Sequence, residues 1–414
     1  MKIFKHIFSI TVFVSLLLMY GCTLTLEPLP EDESFDKYGA ITVSESWSGT
    51  SAFNASYVHI SGCTVTWKKG ITVIVTGSLH VDNNGSLIIE DGVTVKFNKD
   101  AYIEVANNGS GTFAAIGTAS SPVHFTKNDG VSGWGYNSTS ETYSGGIWFN
   151  SAATSLCRLH NCVIEYASSG VVVQGCQIAI DSCVVRNNTY LGINFENNLS
   201  RPDTSTYRFT GNSIYGNGSY PIRIYPECAG YICTGNTLTG NAAGKDMVYL
   251  QRTNDIKGMS VLWRNLGVPY LLYESMIIDN NGSLTIQQGV TVKMNAPAYI
   301  EVANSGSGTL IANGGSGDSI RFVAFTPGAK WGFNPTSATY SGGLWFNSAT
   351  TAFSSLSYVV IEDATTGLYL EADVNVTNSR ISNSKFYGIT ATNVSYLPTG
   401  LTYSGNGSGS THTP

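Results

Sequence analysis

Residues 84–97 read NGSLIIEDGVTVKF. Val93, Val95 and Phe97 alternate with Thr94 and Lys96, and Leu87 and Ile89 keep the same beat ahead of the Glu90-Asp91-Gly92 bend. Ile103 and Val105 carry it forward. Side chains of a strand point to opposite faces in turn, so period two in short runs broken by Gly, Asn and Asp predicts half-buried β-strands. Beyond the N-terminal segment, no stretch sustains helical spacing with capping residues. The phrase returns at residues 281–294 as NGSLTIQQGVTVKM.

That return is part of a longer repeat. Residues 84–167 align with residues 281–364 without a gap, at a constant offset of 197. AYIEVANNGSGT at Ala101 answers to AYIEVANSGSGT at Ala298, and TYSGGIWFNSA at Thr142 to TYSGGLWFNSA at Thr339. A shorter period lies inside: NCVIEYA at Asn161, SCVVRNN at Ser182, NSIYGN at Asn212 and NTLTGN at Asn236. These are rungs roughly 20 to 30 residues apart, the length of one coil. A coil of that size cannot bury its own apolar face and is stable only when stacked on neighbours. A sandwich of immunoglobulin type would not explain recurrence at coil length.

GSLIIEDGVTVKF, AAIGTASSPVHFT, SGGIWF and CVIEYASSGV, with the second-copy matches GSLTIQQGVTVKM, SGGLWF and VVIEDATTGL, resemble the repeat of bacterial right-handed parallel β-helix proteins of the pectate-lyase-like fold. The likeness covers about residues 60–395 and implies an all-β, right-handed parallel β-helix built from a duplicated module. It is specific for fold and weak for activity, because that architecture carries lyases, hydrolases, adhesins and passive scaffolds. We expect a first β-helix module over residues 41–250 and a second over 251–414, stacked on the first.

The N-terminus is read apart from the fold. Lys2 and Lys5 precede an apolar run over residues 7–20, then Gly21-Cys22. A basic start, a short greasy core and a small residue read as a secretory signal, residues 1–22. Gly21-Cys22 resembles the lipobox of bacterial lipoproteins, although Met19 and Tyr20 depart from its usual residues. The resemblance implies lipidation at Cys22, hence a membrane anchor and a cell-envelope location, most simply an outer-membrane lipoprotein. A plain signal peptide and an uncleaved anchor are the alternatives. Residues 23–40, with Pro28, Pro30 and Glu31-Asp32-Glu33, read as an acidic tether.

Charged residues make up 12% of the chain and the net charge is −6, with no Lys/Arg cluster to form a phosphate-binding stripe. Nucleic acid is therefore not an expected partner. Seven cysteines follow Cys22, an odd number, so at least one is unpaired within a monomer. Cys228 and Cys233 are close enough in sequence to close a small disulfide loop. No CxxC pair or neighbouring His supports zinc, and no metal site is expected.

An enzyme on this fold would cut acidic polysaccharide with paired acids, or with Arg and calcium. The chain carries no DD pair, GHG or RIK; Arg223-Ile224-Tyr225 is the nearest to the last. The acids that recur are Asp82/Asp279, Glu104/Glu301 and Glu165/Glu362, and recurrence in step with the scaffold favours structural roles. Asp82-Asn83-Asn84-Gly85 reads as a turn bonding its own backbone, with a calcium loop as the sharper alternative. No cofactor is expected beyond that possibility.

The repeated aromatics are the best site candidates. Alternation puts Ile147 and Phe149 on one face and Trp148 on the other, so Trp148 and Trp345 point outward if the phenylalanines fill the coil. Tyr102 and Tyr299 turn outward by the same logic, and Trp134, Tyr143, Trp331 and Tyr340 flank a loop of equal length in each copy. Outward aromatics stack on sugar rings or anchor a protein partner. The plainer reading is that the loop over residues 128–144 folds back and covers Trp148 as a satellite core. We expect a binding or adhesion protein with a glycan or protein ligand. A lyase or glycoside hydrolase with acids converging from different coils is the alternative, and an inert scaffold the second.

Overall fold

The computed structural model describes residues 35–196, 208–251 and 255–414. Cys22 and the expected leader lie outside them, as do residues 23–34 of the expected tether. The rest of that stretch is not tether, because the strand Phe35–Ile41 already pairs in parallel with Phe53–Ser61, Phe35 opposite Phe53.

The described residues form forty short strands and two 3-10 turns, wound as a parallel β-solenoid of about 16 turns. One coil comprises Gly85–Ile89, Thr94–Phe97 and Tyr102–Val105, and Gly111–Ile116 opens the next. Stacking is in register: Gly111 lies opposite Gly85, Phe113 opposite Leu87, Ile147 opposite Ile103. The alternation of residues 84–97 has its expected meaning, since Leu87, Ile89, Val93, Val95 and Phe97 are fully buried inside the coil. Each coil thus has three strand-bearing faces around an apolar core. The long strand Phe53–Ser61 turns a corner at Tyr57 (φ 50°) and pairs with both Thr72–Val75 and Ser78–Asp82, joining two faces in one 21-stranded sheet.

The segments at the 197 offset are not in phase around the axis. Ile147–Phe149 belongs to the large sheet, which runs on through Ile222–Ile224, Val248–Leu250 and Tyr270–Leu272 to Thr291–Met294. At the repeat offset, Thr291–Met294 matches Thr94–Phe97, a strand of a different face. Leu344–Phe346, the partner of Ile147–Phe149, sits in a separate seven-stranded sheet. The later segment is therefore rotated by one face, and Trp148 and Trp345 look out from different sides of the solenoid.

Turns are held by side chains that bond the next coil. Asp82 accepts from the backbone N–H groups of Asn107 (2.9 Å) and Asn108 (3.2 Å), and Asp279 from those of Ser305 (3.1 Å) and Gly306 (2.6 Å). This is the turn expected at Asp82, except that the bonded backbone belongs to the following coil. The recurring Asn of the rungs form ladders: Asn188 Nδ2 donates to Asn217 Oδ1 (2.9 Å), and Asn217 Nδ2 to Asn241 Oδ1 (2.9 Å). Glycine opens these strands for lack of room, since a Cβ on Gly282 would lie 2.0 Å from the Ile256 carbonyl oxygen.

The proposed Cys228–Cys233 bridge is not formed. None of the seven described cysteines is joined in a disulfide. Cys228 is buried in the 3-10 turn Pro226–Tyr231, while Cys233 Sγ lies 3.7 Å from the Tyr231 carbonyl oxygen. The turn fixes one thiol toward the core and leaves the other near the surface. Burial pushes thiol pKa values up, to about 12 for Cys176.

Two measurements check this account. A protein starting after Cys22 should show at most one thiol, Cys233, reactive with a disulfide exchange reagent in the native state, and seven after guanidinium unfolding. Gly282→Ala should lower unfolding free energy by about 3 kcal/mol through forced displacement of the neighbouring strand, whereas substitution at solvent-facing Gly317 should leave denaturation midpoints unchanged.

Candidate functional site

Several strands in the solenoid are buried on both sides, among them Ile147–Phe149, Val171–Gln174 over its first three residues, and Ile193–Glu196, and in the later segment Leu344–Phe346 and Leu368–Leu370. Strands on a solvated solenoid face normally bury only alternate residues, so something covers them. The cover includes the strap of residues 128–144. It leaves the coil after Val123–Lys127, drives Trp134 into the core, and returns as a short antiparallel bridge between Tyr136 and Gly145. Gly145 and Gly146 allow the close return: a Cβ on Gly146 would meet the Trp134 ring at 2.6 Å.

Trp134 is therefore not a ligand-facing residue. Its ring stacks on Phe97 at 3.8 Å, its indole N–H donates to the Glu165 carbonyl oxygen at 2.8 Å, and it is wholly buried. Trp331 is equally buried and donates to the Glu362 carbonyl oxygen at 2.7 Å. Both anchor their straps, because an indole offers a large apolar face with one donor that a free carbonyl satisfies. As for Trp148 and Trp345, they do leave the coil on its outer face, but only 8% and 4% of their surface is exposed. The plainer expectation, a strap folded over the indole, accounts for most of each ring.

The strap over Trp148 does not close completely. It leaves a cleft of about 320 Å³ lined by Tyr102, Glu104, Tyr136, Tyr143 and Trp148. Tyr136 stands edge-on to Tyr102 (5.5 Å, 69°) and to Trp148 (6.2 Å, 86°), so three rings form nearly perpendicular walls. Tyr143 forms the outer rim and is 60% exposed. The corresponding pocket by Trp345, lined by Tyr299, Glu301, Phe333, Tyr340 and Trp345, has only about 40 Å³.

Glu104 supplies the polar group of the first cleft. It stands beside Trp148 in register, accepts from Asn150 Nδ2 at 3.1 Å, and has its other oxygen 3.3 Å from His80 Nδ1. Burial pushes its carboxyl up, but His80 and Asn150 outweigh that and hold it below the ordinary value, so it is a carboxylate at neutral pH. His80 in turn stacks on exposed His59 at 4.5 Å. The other recurring acids have different neighbours: Glu165 binds Arg186 at 2.8 Å, and Glu362 bridges Arg321 and Arg380, both at 2.7 Å. Arg223 pairs with Glu196 at 3.1 Å. Among the described residues, no group of three or more His, Cys, Asp and Glu could hold a metal ion.

The structure thus brings together Tyr102, Tyr143 and Trp148, and their counterparts Tyr299, Tyr340 and Trp345. Strand alternation missed Tyr136, Phe333 and the lining role of Glu104. Tyr136 and Phe333 sit in loops, where period two has no meaning; their one sequence signal was aromatic character at the 197 offset.

Trp134→Ala should cost about 3–5 kcal/mol of stability and loosen the strap. Tyr143→Ala, at the exposed rim, should leave chemical denaturation within about 0.5 kcal/mol of wild type.

Compared with family models, with curated proteins and with solved structures, the chain has no match.

Proposed function

We propose that this chain is an envelope-anchored binding protein that holds one ring of a glycan in the cleft beside Trp148. The observation that carries this reading is the cleft's composition: three aromatic walls around a carboxylate, in about 320 Å³. A pyranose offers apolar C–H faces and hydroxyls on its rim. Tyr and Trp rings pack against the former, and Glu104 accepts hydrogen bonds from the latter. The volume lies at the low end for small-molecule sites, which favours a ring over a flat protein patch. The leader and Gly21-Cys22 support export and lipid anchoring, and we take the coil to be right-handed and pectate-lyase-like, with the 197-residue offset marking duplication of one module. Glu104 has an imidazole and an amide as neighbours rather than a second carboxylate, and general acid–base cleavage of glycosides normally needs two acids. The reading is therefore binding rather than turnover.

Titration with soluble tetrasaccharides of glucose, galactose, mannose and N-acetylglucosamine, followed by calorimetry and product analysis, tests it. We expect at least one to bind uncleaved, and Tyr143→Ala to weaken it by about 2- to 10-fold, the equivalent of 0.5–1.5 kcal/mol. Because the carboxyl of Glu104 is held below its ordinary value, the fall in affinity caused by its protonation should centre below the ordinary glutamate range near 4.5. Glu104→Gln should abolish that fall. No binding by any of the four, or binding unmoved by both substitutions, would overturn the proposal.

A further inference from the structure

The two clefts are built from matched residues and yet differ about eightfold in volume, 320 against 40 Å³. Of the lining positions, only Tyr136/Phe333 differs, and both rings stand alike: edge-on to the indole at 6.2 and 5.5 Å, and to the strand tyrosine at 5.5 and 5.4 Å. The cause therefore lies outside the lining. One coil further along, in register with the indole, Trp148 has Val172 and Trp345 has Tyr369.

Tyr369 stacks face to face on Trp345 at 3.9 Å and 22°. It also gives Tyr340 an edge-on partner at 5.8 Å, and Tyr340 in turn packs on Trp345 at 4.8 Å. The rim tyrosine is thereby drawn over the indole and fills the space. Beside Trp148, Val172 presents no ring, and Tyr143 makes no such stack.

The indoles are also turned over relative to each other. Trp345 puts its N–H on Asn347 Oδ1 at 2.9 Å and its benzo edge toward Gly342. Trp148 puts its pyrrole edge toward Gly145, and its N–H has no protein acceptor. Glu141 adds a tether on the first strap only: it accepts from Ser219 Oγ at 3.1 Å, two residues before Tyr143, and Ala338 stands at the matching position.

We infer that the residue one coil beyond the indole, Val172 or Tyr369, decides whether the cleft is open, so that the chain carries one ligand site, beside Trp148, and a second that Tyr369 and Tyr340 occupy themselves. The open site takes a single saccharide ring in place of the phenol that fills its counterpart. This rests on the glycan reading for its ligand, but not for its geometry.

Crystal structures of Val172→Tyr and Tyr369→Val test the switch without any ligand. In Tyr369→Val, which only removes atoms, Tyr340 should leave Trp345 and the pocket should grow several-fold toward the volume of the first. In Val172→Tyr, Tyr143 should fold onto Trp148. Tyr340 still packed on Trp345 in Tyr369→Val would overturn the switch, whether or not Val172→Tyr folds. Calorimetry with the tetrasaccharide bound by wild type then reads stoichiometry: one per chain for wild type, two for Tyr369→Val, and at least about 10-fold weaker binding for Val172→Tyr. Two ligands per wild-type chain would overturn the single-site assignment. If no saccharide binds wild type, the glycan reading fails while the crystal structures still decide the switch.

Discussion

Each coil of this solenoid closes only because the coil before it offers a row of backbone N–H and C=O groups in register. Parallel strands lie about 4.8 Å apart along that ladder, so a residue that points outward in one coil is directly beneath its counterpart in the next. The core follows from this, as inward Leu, Ile, Val and Phe stack in columns that no single coil could bury. Backbone carbonyls crowd where the chain turns between faces, which is why Gly282 and the Asp279 carboxylate recur at the same bends as Gly85 and Asp82.

The same ladder governs the cleft. Glu104 and Trp148 are neighbours because their strands are, and Val172 lies beyond Trp148 for the same reason. Strap residues then complete what the strands begin. The anchor is Trp134, held by Phe97 on its face and by the Glu165 carbonyl at its N–H. An aromatic that sequence alone presents as a possible ligand platform is thus the fastening that lets other aromatics line a cleft. Repetition with small changes gives two outcomes from this plan, an open cleft where a valine follows the indole and a filled one where a tyrosine does.

Much of the fold is legible in the chain itself. The alternation in residues 84–97, its return at 281–294 and the coil-length rungs of Asn161, Ser182, Asn212 and Asn236 dictate stacked parallel strands, because a period of two and an unburied face allow little else. The outward direction of Tyr102, Trp148 and their counterparts follows from the same period. The burial of Trp134 and Trp331 does not follow from it, since they lie in loops, where no periodicity says which way a ring points. Cys228 and Cys233, close in sequence, are set apart by a 3-10 turn that buries one and leaves the other part-exposed, which their spacing does not reveal.

What the sequence determined by itself is local and periodic: strand, bend, coil and the side of the sheet on which each side chain leaves. Only the tertiary structure decided what lies over those side chains. The path of the strap, the one-face rotation between the two repeat segments and the contact of Tyr369 with Trp345 all depend on residues far apart in the chain meeting across coils. Whether an outward indole is covered is a question of packing between distant segments, and a period of two carries no information about it.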